Sequence, residues 1–178
     1  CGGGLICEPL VRLGANVTGI DAVFDNIEVA KRHASDMKLN INYQNILPEE
    51  LILQSRKYDI LINMEVIEHV SNADAFVMAC SGLLNPGGLM VCSTLNRTIK
   101  SLALAKIMAE YILLWVPAGT HDWRKFVKPS EFCKYLRGGN LDVIDLCGMG
   151  FNPTKNCWNF KDNLDVNYFI SAVKTKLP

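Results

Sequence analysis

The chain has 178 residues, 49% of them hydrophobic and 20% charged, which fits one domain with a sizeable core and excludes a disordered polymer. Eighteen basic and eighteen acidic side chains give a net charge of zero, which argues against broad electrostatic capture of nucleic acid and leaves a small-molecule site open. Seven cysteines (Cys1, Cys7, Cys80, Cys92, Cys133, Cys147, Cys157), an odd number without a C-x-x-C pair, suggest neither a zinc knuckle nor a disulfide framework and point to a reducing compartment.

The first residues are Cys1-Gly2-Gly3-Gly4, and no signal or transit peptide is visible. A glycine loop needs a strand in front of it, and none precedes Cys1, so the sequence reads as starting inside a domain. Glu8 to Leu13 predicts the rest of a helix after the loop. Asn16 to Asp21 is a β-branched run ending in an acid, the pattern of a buried strand. Asn26 to Met37 carries Ile27, Ala30 and Ala34 at helical spacing. Ile41 to Asn45 is a short strand. Tyr58 to Met64 is a continuous apolar strand of the kind buried on both faces. Ala73 to Leu84 predicts a helix, stopped by Asn85-Pro86-Gly87-Gly88. Leu89 to Ser93, Leu141 to Cys147 and Val166 to Lys174 complete the strands. Strand and helix in alternation predict an α/β fold with a largely parallel sheet wrapped by helices. Residues 99–137 break the rhythm. They are too long for a simple crossover and read as an insertion that serves as lid or binding element.

Ligands of open α/β sheets bind beyond the carboxyl ends of the strands. Three features fall there. The glycines at 2–4 let a ligand approach the backbone. Asp21, about 20 residues on, is placed to accept hydrogen bonds from ribose hydroxyls. Met64-Glu65 ends the long apolar strand. Glycines that merely turn the chain and an Asp that caps a helix are the plainer alternative; loop and acid at this spacing favour a nucleoside site. The glycines are consecutive, no third one follows at dinucleotide spacing, and Glu8 would repel a pyrophosphate. A cationic sulfonium needs no phosphate cradle, which tilts the choice toward S-adenosylmethionine.

Several segments occur in an informative order: Cys1-Gly-Gly-Gly, Val17-Thr-Gly-Ile-Asp21, Met64-Glu-Val-Ile-Glu-His-Val70, Asn85-Pro-Gly-Gly88, Ser93-Thr-Leu-Asn-Arg97, Ala109-Glu-Tyr-Ile112, Gly119-Thr-His-Asp-Trp123 and Asp165-Val-Asn-Tyr168. Together they resemble the ubiquinone biosynthesis O-methyltransferases over essentially the whole chain. The resemblance implies a Rossmann-like class I methyltransferase sheet with helices on both faces, here with the first strand missing and a helical insertion after the fifth. It implies methyl transfer from S-adenosylmethionine to a ring hydroxyl of polyprenylated phenols or quinols, of the 3-demethylubiquinol and 2-polyprenyl-6-hydroxyphenol type. Carried over, Asp21 binds the cofactor ribose, Gly2 lines the cofactor, Met64 contacts it, and Asn45 and Ile46 flank the adenine.

The acceptor hydroxyl must lose a proton, with help from a metal or a general base. Glu65, Glu68 and His69 at i, i+3 and i+4 would share a face of one helical turn and could hold magnesium, or the two acids simply solvate a helix start. The resemblance favours the metal. His121, with Asp122 to orient it, is the candidate catalytic base, or else a structural histidine in a turn. His33 reads as solvent-facing. Leu102 to Val116 is too short to span a bilayer and suits either the membrane interface or a buried helix. A polyprenyl substrate favours membrane contact through residues 101–117, with Lys100, Arg124, Lys125 and Lys128 beside anionic headgroups. The expectation is a peripheral membrane enzyme at the cytoplasmic face of a bacterial inner membrane, or in a mitochondrial matrix. Its partners would be lipid surface, quinol and a quinone-biosynthesis complex. The rivals are a methyltransferase for another small phenol or lipid, and a non-catalytic subunit of such a complex.

Overall fold

The computed structural model describes residues 1–103, 122–152 and 154–175. These residues gather into two compact units, Cys1–Arg56 and Lys57–Pro178.

In the first unit, α1 (Cys7–Arg12) follows the glycine loop, and β1 (Thr18–Asp21) pairs in parallel with β2 (Asn42–Asn45). Two parallel neighbours require a crossover, supplied by α2 (Phe24–Asp36). Ile27, Ala30 and Ala34 form the buried stripe of α2, as their spacing predicts, and pack with Cys7 and Tyr43. The short α3 (Pro48–Leu51) starts on a proline, whose missing N–H costs nothing in a first turn. The register sets Asp21 opposite Asn45, both at the carboxyl ends of their strands.

The second unit holds β3 (Tyr58–Met64), α4 (Ala73–Leu83), β4 (Leu84–Leu95), the single-turn α5 (Ile99–Ser101), α6 (Pro129–Gly138), β5 (Leu141–Asn152), β6 (Cys157–Lys161) and β7 (Asn167–Lys174). Its sheet runs β3-β4-β7-β5-β6. Only β3 and β4 are parallel; the other three pairs are antiparallel, so the expected largely parallel sheet is not what forms. The reason lies in the connections. Too few residues separate β5, β6 and β7 for a crossover helix, so β6 and β7 both run antiparallel to β5, one on each side of it. β6 went unpredicted, although Trp158 and Phe160 alternate with Asn159 and Lys161.

One face of this sheet carries the core. Val77 and Cys80 of α4 and Phe132 and Leu136 of α6 pack on Met90, Cys92, Leu141, Tyr168, Ile170 and Ala172. The Tyr168 hydroxyl donates to the Val127 carbonyl at 3.0 Å, and its ring meets Phe132 edge-on at 6.4 Å. The stretch 99–137, expected to be one insertion, therefore ends in a core helix. Its apolar segment and His121 lie largely or wholly within 104–121, outside the described residues.

Candidate active site

Asp21 stands at the end of β1 because a β-branched run carries the strand to that point. Its carboxylate gathers four donors. Oδ2 accepts from the Gly2 N–H at 2.8 Å and from the Cys1 amine at 3.1 Å. Oδ1 accepts from the Val23 N–H at 2.9 Å and from the Asn26 amide at 3.1 Å. The Asn45 amide donates to the Asp21 carbonyl at 2.9 Å. Gly2, Asp21 and Asn45, three of the five residues expected at the cofactor, thus form one hydrogen-bonded group. Gly2 has φ +53°, and a Cβ built there meets nothing within 4 Å. The backbone at Gly2 therefore faces open space, which suits close approach of a ligand.

Partial burial works against charge on Asp21, but the N–H groups of Val23 and Gly2, the Cys1 amine and Asn26 outweigh it. They hold the carboxyl down at about 2, below its ordinary 3.8. A depressed acid stabilises the fold fully above its unfolded pKa and loses that contribution as pH falls through the folded one. The window here runs from about pH 4 down to about pH 2. Chemical-denaturation midpoints of wild type and Asp21→Asn are expected to differ at neutral pH and to converge across that window; a constant gap would refute the assignment.

Glu8 follows the loop and is buried, but its charge is turned inward. The His33 Nδ1 lies against Glu8 Oε1, and Arg12 stands 3.8 Å from Oε2. His33, expected to face solvent, is half exposed and paired.

In the second unit, β3 ends at Met64, which is partly buried. Glu65 takes a left-handed backbone, φ +53°, and Ile67–His69 form a single 3-10 turn. The helical turn on which Glu65, Glu68 and His69 were expected to share a face is therefore absent. Tertiary contacts decide the geometry instead. The Ser93 hydroxyl donates to Glu65 at 2.7 Å and the Thr94 hydroxyl donates to Glu68 at 2.8 Å. Glu68 is buried, which raises its pKa against the opposing hydrogen bonds, while Glu65 and His69 are exposed. Among the described residues no three His, Cys, Asp or Glu side chains converge to hold a metal ion. As placed, this trio does not fit magnesium.

A methyltransferase-domain family model matches residues 1–146. The ubiquinone biosynthesis O-methyltransferase of Bartonella bacilliformis is 51% identical over 170 residues, covering 96% of this chain and 68% of its own. That of Cereibacter sphaeroides is 49% identical over 177 residues, covering 99% and 72%. This chain belongs to the ubiquinone biosynthesis O-methyltransferase family. Solved structures agree on the fold. Magnesium protoporphyrin IX methyltransferase from Synechocystis PCC 6803 with bound SAH has a TM-score of 0.69 at 19% identity, covering 98% of this chain and 71% of that one. A SAM-dependent methyltransferase from Methanosarcina mazei has a TM-score of 0.72 at 16% identity, covering 99% and 90%.

Within this O-methyltransferase, sequence reasoning missed Asn26, placed five residues after Asp21 and read only as a helix start. It also assigned no role to the Ser93–Arg97 segment. Ser93 and Thr94 hold the two glutamates, and Asn96 donates to the Leu164 carbonyl at 2.8 Å, tying the end of β4 to the turn before β7. Hydroxyls and an amide ending an apolar strand were the available signal.

Proposed function

We propose that the protein transfers a methyl group from S-adenosylmethionine to a ring hydroxyl of a polyprenylated phenol or quinol, a methylation step of ubiquinone biosynthesis. About half identity over nearly the whole chain to relatives of that name supports the reaction. The structural observation that carries it is the charged Asp21 at a strand end, locked to an open glycine loop. When bound, the cofactor supplies an electrophilic methyl on a sulfonium. Asp21 accepts hydrogen bonds from the ribose diol, for which the Asn26 amide gives way most readily. Gly2 allows close approach, Asn45 positions Asp21 through its carbonyl, and Met64 meets the cofactor at the end of β3.

Transfer is an in-line displacement. The sulfur–carbon bond breaks as the oxygen–carbon bond forms, and the ring hydroxyl, with a pKa near 10 taking tyrosine as its analogue, loses its proton. His121 takes that proton in this reading. His121→Ala is expected to lower kcat by roughly 10²–10⁴ while leaving cofactor affinity unchanged. A divalent ion on Glu65, Glu68 and His69 is a separate proposal, in which the carboxylates of Glu65 and Glu68, already in contact, would gain His69 as a third ligand. Activity lost to a chelator and restored by magnesium supports it; indifference to chelation rejects it. A peripheral position at the bacterial inner membrane, or in a mitochondrial matrix, with contact through residues 101–117 and a quinone-biosynthesis complex, follows from a bilayer-borne substrate.

The test is transfer of labelled methyl to a polyprenylated hydroxyphenol and to a short catechol. Preference for the prenylated acceptor is expected. Equal rates favour another small phenol. Cofactor binding without transfer to either favours a non-catalytic subunit.

A further inference from the structure

Two glycines beside the candidate cofactor site make room for one side chain. Gly19 interrupts the β-branched run of β1, where a glycine weakens a strand unless something must approach closely. Its φ is not positive, so backbone conformation does not require it. Space requires it instead. Gly19 stands opposite Tyr43 of β2. A Cβ built on it would lie 2.6 Å and 2.7 Å from two carbons of the Tyr43 ring and 3.0 Å from the Cys7 Sγ. Gly4 ends the glycine loop, its N–H donating to the Cys1 carbonyl at 3.1 Å. Its backbone is left-handed, φ +88°, and a Cβ there would overlap the Tyr43 hydroxyl outright and sit 3.1 Å from Cζ of the same ring. The Tyr43 ring therefore crosses β1 at Gly19 and ends against Gly4.

Tyr43 is buried among Cys7, Ile27 and Ala30. Buried tyrosines usually find a hydrogen-bond partner for the hydroxyl, yet among the described residues this one makes no hydrogen bond. A buried donor without a partner costs stability, and phenylalanine would fill nearly the same space without that cost. Burial also pushes the Tyr43 pKa up, so the group stays a neutral phenol. Neither a hydrogen bond nor a charge accounts for this oxygen. Its contact is with the loop. The glycine loop is thus held at two points, the Gly2 N–H on the Asp21 carboxylate at 2.8 Å and Gly4 against the Tyr43 hydroxyl.

We propose that Tyr43 is a positioning residue for the methyl donor: its hydroxyl is a strut that sets where the glycine loop lies, so that Gly2 reaches Asp21 and presents its backbone to the cofactor. Tyr43 acts through the loop and not by touching the cofactor. The inference rests on the reading that the loop and Asp21 hold S-adenosylmethionine.

The experiment compares the full chain with its Tyr43→Phe, Gly19→Ala and Asp21→Ala variants, by calorimetry with S-adenosylmethionine beside a thermal melt of each. Tyr43→Phe should weaken cofactor binding about tenfold, because a small misplacement of a binding element is felt strongly. Its melting temperature should hold or rise, since an unpartnered buried hydroxyl has gone. In methyl transfer to a prenylated hydroxyphenol, the loss should appear in KM for S-adenosylmethionine more than in kcat. Gly19→Ala drives a methyl group into the ring and should also weaken binding. Both changes act through one ring, so the double variant should bind no worse than Gly19→Ala alone; additive losses count against the strut. Unchanged affinity in Tyr43→Phe overturns the proposal, and so does an affinity that falls only in step with the melting temperature. Asp21→Ala tells the two readings apart. Lost affinity there beside full affinity in Tyr43→Phe refutes the strut alone. Full affinity in folded Asp21→Ala places the cofactor elsewhere, and the strut falls with that site.

Discussion

Gly148→Ala is expected to prevent folding of the larger unit, a loss of more than about 4 kcal/mol. Gly148 lies in β5 with β6 on one side and β7 on the other, opposite Lys161 and Tyr168. A methyl group there would overlap the Asn163 carbonyl oxygen outright, with the carbonyl carbon 2.9 Å away. Backbone cannot swing aside as a side chain can. Asn163 is itself fixed, since its Oδ1 accepts the Asp165 N–H at 2.8 Å and its amide donates to the Asp165 carboxylate at 2.9 Å. Asp165 in turn is bridged to Lys100 at 3.0 Å. The clash therefore reaches the turn that Asn96 and Thr98 clasp at the end of β4. Gly150→Ala is the control. Its new methyl would meet only the flexible end of Lys161, with Cε at 2.7 Å, and should cost no more than about 1 kcal/mol. Urea denaturation of both variants decides the matter. Similar midpoints for the two would mean that Asn163 yields, and the argument fails.

The same contrast between local pattern and distant contact explains what could be read without a structure. The parallel pairs, the buried stripe of α2 and the location of Asp21 were legible because apolar periodicity and strand-end chemistry are local. Asn45 came close to Asp21 for the reason expected, since two parallel strands end together. The direction of β5, β6 and β7 was not legible from composition, although the lack of a crossover helix between residues 148 and 165 carried the signal. Glu65, Glu68 and His69 show a different failure. Their spacing matches a helical face, yet Glu65 turns left-handed and Ser93 and Thr94, some 28 and 26 residues away, anchor the two acids. Only the fold brings those hydroxyls there. The helix α6 was hidden for a third reason: an apolar stretch next to it made 99–137 look like one insertion, while Phe132 and Leu136 are fully buried.

Asp21→Ala should weaken S-adenosylmethionine binding by two orders of magnitude or more. Hydrogen bonds to a charged group contribute about 1.5–3 kcal/mol each, and a ribose diol makes two. Asp21→Asn should fare little better. Each oxygen of Asp21 already accepts a backbone N–H, from Gly2 on one side and Val23 on the other. An amide nitrogen in place of either oxygen would point donor at donor, so the loop or the start of α2 must shift. Asn26→Ala separates recognition from scaffolding. It removes a donor that competes with the ribose for Oδ1, at 3.1 Å, and leaves both backbone contacts in place. Cofactor affinity should hold or rise while thermal stability falls slightly. If Asp21 served only to pin the loop, Asn26→Ala would weaken binding in step with stability, and Asp21→Ala would keep its affinity at temperatures where it remains folded. Calorimetry with S-adenosylmethionine, run beside a thermal melt of each variant, distinguishes the two. Unchanged affinity in folded Asp21→Ala would remove the carboxylate from the cofactor site.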